Sequence, residues 1–122
     1  MPEVASQTLD LVGRELNNTL GEARTALETF VEQPENVVLL QRCVSDLHQV
    51  QGVLRLLEIF GAALLAEEME QVTHYLLTPA AQKNQAETLD ALMRAMVQLP
   101  SYVERVKQDF WASLPPQEKP SH

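Results

Sequence analysis

His48, Gln51 and Gly52 stand in the order His-x-x-Gln-Gly within residues 46–66, DLHQVQGVLRLLEIFGAALLA. On a helix, residues three and four apart share a face, so Gln51 and Gly52 flank the imidazole one turn on, and Arg55 projects near it. Imidazole titrates in the physiological range, and its neutral form is a nucleophile. Phosphoryl transfer needs in-line approach and charge neutralisation, and a partner can bring the metal and the acceptor carboxylate. A histidine on a convex helix face can therefore carry a phosphoryl group without a pocket of its own. A glycine inside a helix costs about 1 kcal/mol relative to alanine, so Gly52 asks for a reason, such as close approach of another body to the backbone. The plain alternative is a helix that tolerates one glycine and one surface histidine.

The helix that must hold these groups is predicted over residues 37–60, with Gly61 as its stop. Leu40, Cys43, Val44, Leu47, Val50, Leu54 and Leu57 recur at three- and four-residue steps and form its apolar stripe. At ~100° per residue, His48 falls roughly 110° and Gly52 roughly 150° from the stripe centre. Residues 6–32 carry an earlier stripe of Leu9, Val12, Leu16, Leu20, Ala23, Leu27 and Phe30, with a bend expected at residues 17–21, where Asn17, Asn18 and Gly21 are poor helix formers. Gln33-Pro34-Glu35-Asn36 is the first turn. A third helix follows over residues 62–77, with Leu64, Leu65, Met69, Val72, Tyr75 and Leu76 as its apolar side and Glu67, Glu68 and Glu70 as a solvated acidic face. Residues 79–84 read as a polar linker, and Asn84 with Glu87 as a capping box opening the fourth helix. Leu89, Leu92, Met93, Met96, Val97 and Leu99 are the stripe of that helix. Pro100 is expected to kink or restart it before a last piece bearing Tyr102, Val103, Val106, Phe110 and Trp111. Short connections make neighbouring helices antiparallel. The expectation is an all-α fold, an antiparallel up-and-down four-helix bundle with a kinked or extra terminal helix. It occupies residues 1–113, followed by a proline-rich tail over residues 114–122, LPPQEKPSH. A start without leader features and a linker-like finish suggest an N-terminal domain of a longer protein.

Composition narrows the function classes. Of 122 residues, 45% are apolar, enough for one domain's core, and the net charge is −8 at pH 7. That balance opposes nucleic acid and anionic membrane surfaces, which are bound through Lys and Arg. One cysteine, Cys43, sits on the apolar stripe and has no partner for an internal disulfide. This composition suits a reducing compartment, so a cytoplasmic location is expected. The first ten residues lack the basic and apolar regions of a signal peptide, and no run reaches the ~18 apolar residues of a membrane span. Neither a metal nor a cofactor is expected. His74 follows Glu70 by four residues, where the di-iron bundle motif uses a three-residue step and a second copy. His122 lies in the tail. No Cys-x-x-Cys pair, glycine-rich phosphate loop or Gly-x-Ser-x-Gly elbow occurs. Met69, Met93 and Met96 read as core.

With its histidine on the second long helix, then a Gly-Ala turn and an Ala/Leu/Glu-rich helix, the chain resembles the histidine-containing phosphotransfer domain. Residues 47–71, LHQVQGVLRLLEIFGAALLAEEMEQ, are similar to the N-terminal domain of this kind in the chemotaxis-type histidine kinase that controls type IV pili and twitching motility in Gram-negative bacteria, and in its non-kinase scaffold relative. The resemblance implies a phosphorelay role, with His48 accepting a phosphoryl group from the parent protein's kinase domain and passing it to an aspartate of a response-regulator receiver domain. Gln51, Gly52, Arg55, Gln41 and Ser45 are then the partner-binding face. No independent enzymatic activity is implied for the domain itself. The sequence differs from the family's pattern at Gln51, where a lysine is usual, and at Arg55, where a small residue is usual. Those differences frame the alternative, a degenerate, unphosphorylated scaffold that binds other proteins of the same pilus-regulation system.

Overall fold

The computed structural model describes residues 2–113 and 115, with side chains from residue 10 onward except Phe110 and Trp111. Four α-helices and one short 3-10 helix account for nearly all of it: α1 (Pro2–Glu32), α2 (Val37–Leu56), α3 (Phe60–Leu76), the 3-10 helix Pro79–Asn84, and α4 (Gln85–Ser113). The expected stripe contributions of Leu9, Phe110 and Trp111, and the tail apart from Pro115, lie outside the described side chains.

The apolar periodicity is what builds the core. On α2, Leu40, Cys43, Leu47, Val50 and Leu54 are all buried, and Val44 and Leu57 lie half-buried at the stripe's edges. Leu16, Leu20, Ala23, Leu27 and Phe30 face them from α1; Ala62, Ala63, Ala66 and Met69 from α3; Leu89, Leu92, Met96 and Leu99 from α4. Helix α2 packs extensively on both α1 and α3, and α3 packs on α4. At 1.5 Å per residue α1 and α4 are roughly 46 and 43 Å long, against about 30 Å for α2. The start of α1 and the end of α4 thus reach beyond α2, and an ion pair between Lys107 and Asp10 joins them there. Cys43 is buried, and desolvation pushes its thiol up to about 12, against the lowering effect of a hydrogen bond with Thr73. A thiol held so far into its protonated form is inert packing.

Local rules gave way to packing at four places. No break occurs at residues 17–21, where α1 is continuous: Leu16, Leu20 and Ala23 are buried around the weak helix formers, and tertiary burial outweighs propensity. Helix α4 runs through Pro100 without restarting, with Leu99 buried and Val103 packed on the core either side of it. Residues 79–84 form the 3-10 helix, not a linker, and Ala81 is buried. Asn84 does not act in a capping box; its Oδ1 accepts a 3.1 Å hydrogen bond from the Tyr75 hydroxyl on α3.

The end of α2 also differs from expectation. The helix stops at Leu56, and Glu58, not Gly61, takes the left-handed conformation at φ 61°. The Ile59 amide donates to the Leu54 carbonyl at 2.9 Å and the Glu58 amide to the Arg55 carbonyl at 3.0 Å, the paired bonds of a Schellman stop. Gly61 lies within α3, and a Cβ there would displace the hydroxyl end of the Tyr102 side chain of α4. A glutamate in left-handed backbone carries strain that glycine does not. Glu58→Gly is therefore expected to raise stability by about 0.5–1 kcal/mol, net of the extra chain entropy of glycine. A lowered urea midpoint for that variant would contradict the assignment.

Candidate functional site

The α2 stripe fixes which residues face away from the core. Burying Leu47, Val50 and Leu54 turns His48, Gly52 and Arg55 outward and sets Gln51 at the α2–α3 seam. Gln41 and Ser45 are exposed on the same outward side, nearer the start of α2, and join no side-chain hydrogen bond among the described residues. At Gly52 an added Cβ would meet nothing within 4 Å. Packing thus does not explain this glycine, as the helical wheel predicted.

Helix α3 holds the polar groups of this face in place, through residues that the sequence alone placed in solvent. The His48 Nδ1 lies 3.2 Å from both carboxylate oxygens of Glu70. Glu70 is only 16% exposed, whereas His48 is 73% exposed. An ionised carboxylate only accepts, so Nδ1 is the donor of this contact. With its amide turned so that nitrogen faces Glu70 and oxygen faces Arg55, the orientation that pairs donors with acceptors, Gln51 completes the bridge: its nitrogen donates to Glu70 Oε1 at 3.2 Å, and its oxygen accepts from Arg55 Nη2 at 3.0 Å and Nε at 3.1 Å. Arg55 Nη2 in turn donates to Glu67 Oε2 at 2.9 Å. His74 Nε2 approaches Glu70 Oε2 to 3.9 Å. The acidic run of α3 is thus divided, with Glu67 and Glu70 tied to α2 and Glu68 alone left facing solvent.

This arrangement is a hydrogen-bonded polar surface with a bare centre at Gly52. Its one cation, Arg55, is committed to Glu67 and Gln51. Among the described residues no group of three or more His, Cys, Asp or Glu is placed to hold a metal ion. No described helix is long and apolar enough to cross a membrane.

Comparison with known proteins gives this surface a family. The model of the FimL C-terminal domain matches residues 3–113. The chain belongs to this family. It is 37% identical over 100 residues to the scaffold protein FimL of Pseudomonas aeruginosa, an alignment that covers 82% of this chain and 18% of that relative. No solved structure matches. The matching family model is that of a C-terminal domain, where the resemblance implied an N-terminal one.

Proposed function

We propose that this domain is a protein-binding scaffold module in type IV pilus regulation, folded as an up-and-down four-helix bundle of the phosphotransfer kind, with the α2 face around Gly52 as its docking surface. The observation that carries this reading is the open space at Gly52 beside side chains already hydrogen-bonded to Glu70 and Glu67. A partner that lands there orders few new rotamers, which lowers the cost of binding. The FimL relative's designation as a scaffold protein supports the same reading. Partners are then other proteins of pilus regulation, and a cytoplasmic location follows from that role.

Phosphotransfer through His48 is the second reading, favoured by an exposed imidazole whose Nδ1 lies against a carboxylate. Two features count against it. The usual lysine is Gln51, and the nearby Arg55 already pairs with Glu67, so among the described residues of this face no uncommitted cation stands ready for an incoming phosphoryl group. Full-length protein isolated from twitching cells and kept at alkaline pH is expected to carry no acid-labile phosphoryl group. An acid-labile label that vanishes in His48→Gln would overturn the scaffold reading in favour of the relay.

A further inference from the structure

Helix α2 has a second outward side, roughly 110° around from His48 and Gly52 at 100° per residue, where it meets α1. Two hollows lie one behind the other along this seam, one of about 460 Å³ and one of about 680 Å³. The first is walled by hydrocarbon: Val12 from α1, Val53 and Leu57 from α2, with Leu11 62% and Leu56 84% exposed at its rim. Contiguous exposed apolar surface of this sort marks interaction sites in soluble proteins.

The charges along the seam are of one sign. Glu15 borders the first hollow and Glu22 the second, and neither takes part in an ion pair or hydrogen bond among the described residues. Asp46, on α2 near Glu22, lines neither hollow and has one carboxylate oxygen buried and without a hydrogen-bond partner. Burial and the nearby Glu22 push its carboxyl above the usual range, against the lowering effect of Arg42. Arg42 is the one cation among the residues that line the two hollows. An apolar hollow bordered by Glu15, continued by a more polar one bordered by Glu22, repels an acidic guest and another copy of this acidic chain, and it favours a guest that brings both hydrocarbon and positive charge.

We propose that the α1–α2 seam is a second docking surface, which takes an amphipathic helix of a partner protein with an apolar stripe flanked by Lys or Arg. Leu11, Val53 and Leu56 take the stripe, and Glu15 and Glu22 take the cations. From position 11 to position 29 the seam measures about 27 Å, room for a helix of about 18 residues. Such a groove-bound helix is a common mode of peptide recognition. With the Gly52 face on another side of α2, a scaffold would hold two partners at once; the seam's occupancy stands whether or not the Gly52 face docks anything.

The test uses the full chain and a synthetic helical peptide of about 18 residues, with leucines at helical spacing and flanking lysines, beside a counterpart with glutamate for each lysine. Fluorescence anisotropy should show binding of the lysine peptide that weakens with added salt. Amide shifts should move along positions 11–22 and 46–57. Glu15→Lys combined with Glu22→Lys should weaken binding at least about tenfold, the effect of some 1.4 kcal/mol. Leu56→Ser should do likewise, and it threatens no core because Leu56 is 84% exposed. Arg94→Ala, on α4, should change nothing. Equal binding of the glutamate peptide, no binding, or shifts confined to α3 and α4 overturns the proposal. Seam shifts that grow with protein concentration in the absence of peptide overturn it too, because a second copy would then be the occupant.

Discussion

Leu54→Ala is expected to destabilise the domain by about 2–5 kcal/mol, the range for truncating a fully buried leucine. Leu54 is completely buried on α2, the helix that packs on both α1 and α3, so the cavity opens where the core can collapse least. Small domains hold only about 5–15 kcal/mol in all, and a loss of this size is a large share of that. Urea unfolding should show a much lower midpoint with little change in slope, since the surface exposed on unfolding is nearly the same. A shift under about 1 kcal/mol would mean that α2 is not the central packing element.

Gly52→Arg is expected to leave the fold intact and remove function. An added Cβ meets open space at this position, so Gly52→Ala should stabilise α2 by up to about 1 kcal/mol through helix propensity, and arginine should fold as well. On the proposed docking surface the same arginine stands one turn from His48, in the path of an approaching partner. Obstructing the centre of an interface costs about 2 kcal/mol or more, roughly thirtyfold in affinity. The alanine variant controls for the loss of glycine itself. If Gly52→Arg unfolds the domain, the glycine serves helix packing and the docking surface has been misplaced.

Much of this was legible in residue order, and the reasons for the rest are physical. The stripes of α1, α2 and α4 identified nearly all of the buried residues on those helices, because periodic burial is written locally, whereas on α3 the expected Leu64 and Tyr75 are exposed and the small residues Ala62, Ala63, Ala66 and Thr73 are buried in their place. The open side at Gly52 followed from the same wheel. Glu67 and Glu70 were misjudged as solvated because their partners lie on α2, and one helix's wheel carries no information on its rotation against a neighbour. Gly61 was taken as the stop of α2 on residue type alone. The stop is set by backbone bonds around Glu58, and Gly61 lies against the side chain of Tyr102, far along the chain. Pro100 and the asparagines of α1 show burial outweighing propensity. The α1–α2 seam was invisible because an outward Leu11 or Leu56 is unremarkable until two helices bring them together.

The most direct measurement is twitching motility in a strain lacking the chromosomal copy, complemented with full-length protein carrying either His48→Gln or Gly52→Arg, with protein levels checked in each. Docking through the α2 face predicts that His48→Gln largely restores twitching and Gly52→Arg fails to, at equal protein abundance. Loss of twitching with His48→Gln together with full rescue by Gly52→Arg would contradict the account and return His48 to the centre of a phosphoryl relay.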